Sequence, residues 1–324
     1  MTDETPARPV ATIGVIVVSH QSADDLPACL AALCAADGVG RIVVVDNAST
    51  DGSADLVREV DDARITLLAL DHNTGFAGGC NRGFAALGAV DAVVTCNPDV
   101  VVERKCLARA ASTLASDPAV GAVAPRLMRP DGRTVDSVGQ VLARGRLEVR
   151  DRGYGRPVGD ELLAPTDVLA PCGALGVYRR TALAAVAEPA GPWAERFFCF
   201  WEDLELGWRL VRGGWRVRAV PDAVATHRRG AGADEGTGPL RWRRPPYLEA
   251  CVISNRWMTL LRHLHAVDLV QRLPLLLPWD LGIVVAGILR RPTVARHLAR
   301  RWPLVADEWR RRRREPRPRL VELP

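Results

Sequence analysis

Residues 13–52, IGVIVVSHQSADDLPACLAALCAADGVGRIVVVDNASTDG, decide the architecture. Ile13–Ser19 is a continuous, largely β-branched run, which reads as a strand buried on both faces. Leu26, Leu30 and Leu33 then recur at helical spacing. Arg41–Val45 is a second buried strand. It ends in Asp46-Asn47-Ala48-Ser49-Thr50-Asp51-Gly52, a turn before a helix that opens at Ser53. Further on, Ile65–Leu70 is a third strand, Asn81–Leu87 is helical, and Ala92–Cys96 is a fourth strand ending at Asn97-Pro98-Asp99. Strands alternating with crossover helices imply an α/β fold: a mostly parallel sheet with helices on both faces. Such sheets bind ligands beyond the carboxyl ends of their strands. Here strands one, two and four finish in Ser19-His20, Asp46-Asn47 and Asn97-Pro98-Asp99.

The middle of the chain is less regular. Residues 129–166 are rich in Gly, Arg and Asp, which predicts a long loop or a small irregular β insert. Strand-like Val168–Val177 and Arg216–Val220 flank a helix over Trp201–Arg212, and Val220-Pro221-Asp222 reads as a turn. Residues 228–246 read as a mobile loop. From Leu248 onward the pattern is helical, with a largely apolar stretch, Leu273–Leu289, interrupted by Pro274, Pro278 and Asp280. Arg310–Arg314 and the residues after it read as a disordered basic tail.

At 324 residues, 48% hydrophobic and 25% charged, the chain can build a sizeable core and is not globally disordered. Its eight cysteines include no C-x-x-C pair, which excludes a zinc ribbon and favours free thiols in a reducing compartment. The polar start MTDETPARP has no apolar core, so no signal peptide is expected. No stretch of 18 residues is apolar and also free of charge and proline, so a simple membrane span is not expected either. Charge is uneven. Residues 231–324 hold 18 arginines against 9 acidic residues, whereas the other 230 residues are slightly acidic. Two regions with different surroundings follow. The arginines of the tail are not interleaved with aromatics, which argues against nucleic acid as a partner.

Five constellations can carry chemistry. Asp46, at the mouth of the second strand, can accept from a base N–H or a ribose hydroxyl, or can cap the next helix. Asn73-x-Gly75-Phe76-Ala77-Gly78-Gly79-x-Asn81-Arg82-Gly83 offers small residues whose amides can approach an anion, with Arg82 able to reach a phosphate; a plain Gly-rich connector has the same text. Asn97-Pro98-Asp99 offers hard oxygen donors for Mg²⁺ or Mn²⁺ bridged to a diphosphate, and is also a turn former. Glu202 and Asp203 open a helix, where the dipole favours acids. The neighbouring Phe197, Phe198, Phe200 and Trp201 can also raise a carboxyl pKa and produce a general base. His227 is a metal ligand, a phosphate donor or a structural histidine.

In this order the segments VIVVSHQS, VVVDNASTDGS, NTGFAGGCNRG, CNPDV and RFFCFWEDLELGWRLVRGGWRV, followed by VPDAVATH, resemble the family-2 inverting glycosyltransferases, and within them the rhamnosyltransferase branch. The resemblance covers roughly residues 13–227. It implies the GT-A fold, a Rossmann-like parallel sheet, here with a C-terminal helical amphipathic extension. Together with the composition and patterning of the flanking segments, it gives a domain plan: a disordered N-terminus at 1–9, a transferase domain at 10–230, a helical region at 231–309 and a basic tail at 310–324. Within the transferase domain, the nucleotide half covers about 10–100 and the acceptor half about 101–230.

By the same resemblance, Asp46 contacts the nucleoside, and Ser19, Asn73, Gly75, Phe76, Gly78, Arg82 and Asn97 are the further candidates for nucleotide-sugar contact, although strand one ends in Ser19-His20 where the family usually has Tyr-Asn. Asp99 and His227 hold Mg²⁺ or Mn²⁺, Asp203 is the base with Glu202 beside it, and Phe200 and Trp201 line the acceptor region. The implied donor is a nucleoside-diphosphate sugar, with dTDP-rhamnose first and a UDP-hexose or galactofuranose next. The implied acceptor is a glycan or polyprenyl-linked hydroxyl used in cell-envelope polysaccharide synthesis. The expected location is cytoplasmic, with peripheral contact of Leu273–Leu289 and its arginines to an anionic membrane; a buried helical hairpin has the same pattern. A nucleotidyltransferase would place catalytic Arg and Lys after strand one, where this chain has Gln21-Ser22-Ala23-Asp24-Asp25. A non-catalytic nucleotide-sugar or membrane-docking module would have lost Asp99 or Asp203, and both are present.

Overall fold

The computed structural model describes residues 12–143, 145–229 and 244–311. The expected disorder at 1–9, most of the expected loop at 228–246 and most of the basic tail lie outside them. The first half of the chain runs β1 (Ile13–Ser19), α1 (Leu26–Ala35), β2 (Val39–Asp46), α2 (Ser53–Arg58), β3 (Ile65–Ala69), α3 (Gly75–Ala86), β4 (Ala92–Cys96), β5 (Val100–Val102), α4 (Cys106–Ser116) and β6 (Val120–Met128). An insert follows: β7 (Val135–Ser137), β8 (Gln140–Ala143), β9 (Glu148–Asp151), α5 (Asp160–Leu163) and β10 (Thr166–Asp167). Then come β11 (Leu175–Arg179), α6 (Arg180–Ala185), α7 (Glu202–Arg212), β12 (Arg216–His227), α8 (Pro246–His263), α9 (Ala266–Arg290) and α10 (Pro292–Arg311).

Ten strands form one sheet in the order β10-β12-β6-β11-β4-β1-β2-β3, with β5 added to β12 and β7 to β6. β3, β2, β1 and β4 are parallel. β11 enters antiparallel between β4 and β6, and β12 runs parallel to β6. The continuous apolar text of β1 and β2 is explained by cover on both faces, since alternate side chains point to opposite sides. Val15, Val17, Ile42 and Val44 pack with α1 and α4, whereas Ile16, Val18, Val43 and Val45 pack with α3. A third cluster joins α7 to the C-terminal helices through Leu204, Trp208, Met258, Leu261 and Leu276.

Four local expectations are corrected. The Gly-rich segment is not a loop before a helix at Asn81: the helix begins at Gly75. Its glycines allow α3 to lie close on β1, since a Cβ at Gly79 would stand 2.6 Å from Val18 Cγ1 and one at Gly83 2.3 Å from Ile16 Cγ2. The strand expected over Val168–Val177 is limited to β11, and residues 168–174 are largely irregular. Val220-Pro221-Asp222 does not end its strand. β12 continues to His227 with a register shift between Val220 and Val224, where proline's missing N–H is tolerated. Pro274 and Pro278 do not break α9, which runs through both.

Candidate active site

The carboxyl ends of β1, β2 and β4 bring the first group of residues together. Ser19 pairs in register with Asp46, and both are buried. Asp46 Oδ2 accepts from the Ser49 amide at 3.1 Å. Asp46 Oδ1 and Ser19 Oγ are buried with no hydrogen-bond partner among the described residues. Neighbouring buried oxygens left unsatisfied at a strand terminus suit a ligand's N–H or hydroxyl groups. Asn47, which follows Asp46 at the same strand end, is engaged within the protein. Its Oδ1 accepts from the Thr74 amide and hydroxyl, and its Nδ2 donates to Gly75 O at 2.9 Å.

The α3 segment is engaged within the protein. Asn73 Oδ1 accepts from the Gly75 amide at 2.8 Å, and the Ala77 amide donates to Phe198 O. Two of the leading helix amides expected to face an anion are therefore already bonded. Arg82 pairs with Glu195 at 2.8 Å and turns to Gly78 O. Phe76 alone of this group lines the cleft described below.

His227 reaches Asp99 because β5 and β12 pair antiparallel with His227 opposite Val100. His227 Nε2 lies 3.3 Å from Asp99 Oδ2. On its other side, His227 Nδ1 donates to Asp136 Oδ2 at 2.8 Å. Arg229 Nε donates to the second oxygen of Asp136, and Arg229 Nη2 to Asp151 Oδ2 at 3.2 Å. Burial alone would lower the His227 pKa. Hydrogen bonds to Asp136 and Asp99, together with their charges, outweigh it and push the value up to about 9. His227 and Arg229 in turn hold Asp136 below the usual carboxylate value despite its burial.

Two atoms 3.3 Å apart, a hard carboxylate oxygen and an imidazole nitrogen fixed by a second carboxylate, match adjacent ligands of a divalent ion whose bonds are about 2.1 Å long, the ion displacing the proton that otherwise lies between them. Among the described residues no group of three His, Cys, Asp or Glu side chains could hold a metal. The pair therefore fits an ion that takes its remaining ligands from phosphate and water.

Asp203 comes to the same place through α7. The helix starts after a loop in which Phe198, Phe200 and Trp201 all have positive φ, at 63°, 71° and 70°. Asp203 Oδ2 accepts from Gln140 Nε2 at 2.7 Å and from the Gly173 amide at 2.8 Å; its Oδ1 accepts from the Leu204 amide. Burial raises its pKa to about 6. The hydrogen bonds from Leu204, Gly173 and Gln140 oppose that rise, and the charge of Asp151 adds to it. Glu202 is buried more severely in effect: desolvation, then the charge of Asp203, hold its pKa well above the ordinary value. Its Oε2 has no partner among the described residues.

A cleft of about 370 Å³ gathers Asn97, Phe200, Trp201, Glu202, Asp203 and His227, with Phe76 at one side. It is also lined by Gln140, Asp151, Gly173, Arg229 and Arg244, none of which the sequence reading named. Arg244 stacks over the Phe200 ring at 4.7 Å. Asp99 joins the cleft through His227, while Ser19 and Asp46 lie at neighbouring strand ends outside its lining. No sequence signal marks Gln140 or Asp136, because Gln140 reaches the cleft, and Asp136 reaches His227, only once the 129–166 insert has folded. The arrangement places a buried carboxyl group of near-neutral pKa, two guanidinium groups and a candidate ion site around one opening.

The model of the family described as glycosyl transferase family 2 matches residues 14–186. The chain is 29% identical, over 237 residues, to N-acetylglucosaminyl-diphospho-decaprenol L-rhamnosyltransferase of Mycobacterium tuberculosis, covering 66% of this chain and 75% of that protein. It is 25% identical over 278 residues to an N-acetylglucosaminyltransferase of Azorhizobium caulinodans, covering 77% and 63%. Among solved structures, a mannosyltransferase of Pyrobaculum calidifontis in complex with GDP-Man and Mn²⁺ superposes with a TM-score of 0.56 at 19% identity, covering 92% of this chain and 87% of that one.

Proposed function

This chain belongs to glycosyl transferase family 2 and is a glycosyltransferase, and from that premise we propose an inverting transfer of a sugar, rhamnose first, from a nucleoside diphosphate to a hydroxyl of a lipid-linked glycan. The observation that carries this reading is Asp203. It is a buried carboxylate with a pKa of about 6, oriented by Gln140 and Gly173, in the cleft that also holds Asn97 and His227. The rhamnosyltransferase relative supports both the donor sugar and a polyprenyl-diphosphate acceptor. The N-acetylglucosaminyltransferase relative makes N-acetylglucosamine the competing donor sugar.

In this mechanism ionised Asp203 takes the proton of the acceptor hydroxyl as that oxygen attacks the anomeric carbon. The bond from that carbon to the diphosphate breaks on the opposite face, so one displacement inverts the centre. Glu202, whose carboxyl pKa is raised by burial and by the charge of Asp203, presents an oxygen with no partner among the described residues to the same substrate. Asp99 and His227 would hold Mg²⁺ or Mn²⁺, which when bound neutralises charge growing on the departing diphosphate. Arg244 supplies a further cation at the cleft wall. Ser19 Oγ and Asp46 Oδ1 meet the nucleoside, since both are buried and lack a protein partner among the described residues.

The proposal assigns residues 10–230 to transfer, with Arg244 and α8 completing the cleft, and the outer faces of α9 and α10 to peripheral docking on an anionic cytoplasmic membrane face. α9 exposes Val270, Leu277, Leu281, Val285 and Leu289 at helical spacing, with Leu281 63% and Leu289 77% exposed. α10 adds Trp302, 68% exposed. Arg272, Arg290, Arg296 and Arg300 lie on the same two helices, and arginines near anionic headgroups contribute about 1 kcal/mol each. Residues 266–287 of α9 are long and apolar enough to cross a membrane, and 22% of their apolar window is buried in the protein.

The test is release of nucleoside diphosphate from dTDP-rhamnose and from UDP-N-acetylglucosamine, with Mn²⁺ and a polyprenyl-diphosphate-linked N-acetylglucosamine acceptor. The native enzyme should turn over one of them. Asp203→Asn should be slower by about 10² to 10⁴ with nucleotide affinity unchanged. Full activity in Asp203→Asn would remove the base assignment.

A further inference from the structure

We infer that Asn255, on α8, holds the loop that carries the proposed base in its working shape, and is a positioning residue for sugar transfer. The inference rests on the assignment of Asp203 as the base. The segment Phe197–Trp201 turns the chain into α7 so that Phe200, Trp201, Glu202 and Asp203 all reach the cleft. It does so with three aromatic residues in the left-handed region, which a bulky side chain adopts only when its surroundings impose it. A turn this tight also leaves carbonyls converging on one point. Asn255 Nδ2 gathers three of them, at 2.8 Å to Phe197 O, 2.9 Å to Cys199 O and 2.7 Å to Phe200 O, its two N–H groups shared among the three acceptors. Asn255 is fully buried.

The amide cannot turn round. Its Oδ1 accepts from Arg301 Nη2 at 2.6 Å, and Arg301 is itself fixed by Ser254 Oγ at 2.6 Å and by Arg196 O at 3.0 Å. α10 thus orients α8's amide, and the amide orients the loop. From its other side, the same loop bears on α3, where Phe198 O accepts from the Ala77 amide. Carbonyl oxygens gathered at one point repel one another, and a neutral NH₂ group is the smallest side-chain group that joins them. A carboxylate has the same shape but no proton to donate, so it would push the carbonyls apart while pairing more strongly with Arg301.

That contrast defines the experiment. Asn255→Asp, Asn255→Ala, Arg301→Lys and Asp203→Asn are compared with the native chain for kcat and KM of nucleoside diphosphate release, for UDP and dTDP affinity by calorimetry, and for Tm. A purely structural residue would make the isosteric Asn255→Asp the milder change. A positioning residue makes it the more damaging one: kcat lower by about thirtyfold or more, with nucleotide affinity within about twofold and Tm within a few degrees of native. Asn255→Ala should fall between. Native-like kcat in either folded variant, beside an inactive Asp203→Asn, overturns this inference alone. Native-like kcat in Asp203→Asn overturns the base assignment instead. If neither position-255 variant folds, Arg301→Lys decides. A kcat loss of about fivefold or more at unchanged nucleotide affinity supports the inference, and an unchanged kcat overturns it.

Discussion

His227 Nε2 stands 3.3 Å from Asp99 Oδ2 while its Nδ1 is bonded to Asp136. This fixes the ring from behind and leaves one nitrogen to face the carboxylate. It is the arrangement in which a second carboxylate sets the tautomer and the direction of a metal-binding histidine. On the proposed ion-binding role of His227, ion affinity depends on Asp136, a residue that would touch no ion.

Asp136→Asn should therefore weaken Mn²⁺ binding by about 10- to 100-fold, and His227→Ala should weaken it further. Calorimetric Mn²⁺ titration in the presence of UDP or dTDP reads this without turnover. Unchanged affinity in both variants would remove His227 from the ion site.

Transfer should decline as pH falls through about 6, because Asp203 must be ionised to accept a proton and its pKa lies near that value. The sign follows from burial. Desolvation raises the carboxyl pKa, so activity is present above pH 6 and is lost below it, roughly tenfold per unit well below the limb. A kcat profile whose acid limb sits near 4 would point to a different, ordinary carboxylate as the base.

Gly75→Ala should destabilise the protein and slow transfer together. Gly75 has φ +75°, and a Cβ there would lie 2.3 Å from Phe198 O, on the loop that leads to Asp203. Strain of about 1–3 kcal/mol adds to that clash. Gly52→Ala is the control, since Gly52 has φ +88° but nothing within 4 Å of the added carbon. It should cost only about 1 kcal/mol and leave kcat unchanged. Urea unfolding and steady-state kinetics on both variants check this.

Flotation with vesicles containing anionic phospholipid should carry the native protein, less so at high salt. Leu281→Glu with Leu289→Glu should abolish flotation, because each places a charge where the helix exposes an apolar surface. Nucleotide affinity should be unaffected. Equal flotation of native and variant protein would remove α9 as the docking surface.

Much of the nucleotide-side fold was legible because its signals are local. A seven-residue β-branched run can be buried on both faces only as an inner strand, and Ile13–Ser19 is that strand. The helix over 202–212, with Glu202 and Asp203 at its start, was legible for the same reason. The Gly-rich segment misled. Small residues serve equally for close helix packing and for an open anion loop, and only the position of β1 beneath α3 separates the two. Pro221 misled likewise, since a strand bulge and a turn both accept proline.

The sequence by itself determined the α/β class, the alternation of strands and helices, and which acids sit at element ends, because periodicity and strand-end chemistry are written within a few residues. Only the tertiary structure decided which of those acids work together. Asp99 meets His227 through antiparallel pairing of β5 with β12. Gln140 meets Asp203 through the folding of the insert, and Gly173 through the segment between β10 and β11. Asn255 meets the 197–200 carbonyls through packing of a C-terminal helix. Each contact joins segments distant in the chain, and its energy depends on burial and on hydrogen-bond geometry, which exist only once the layers have assembled.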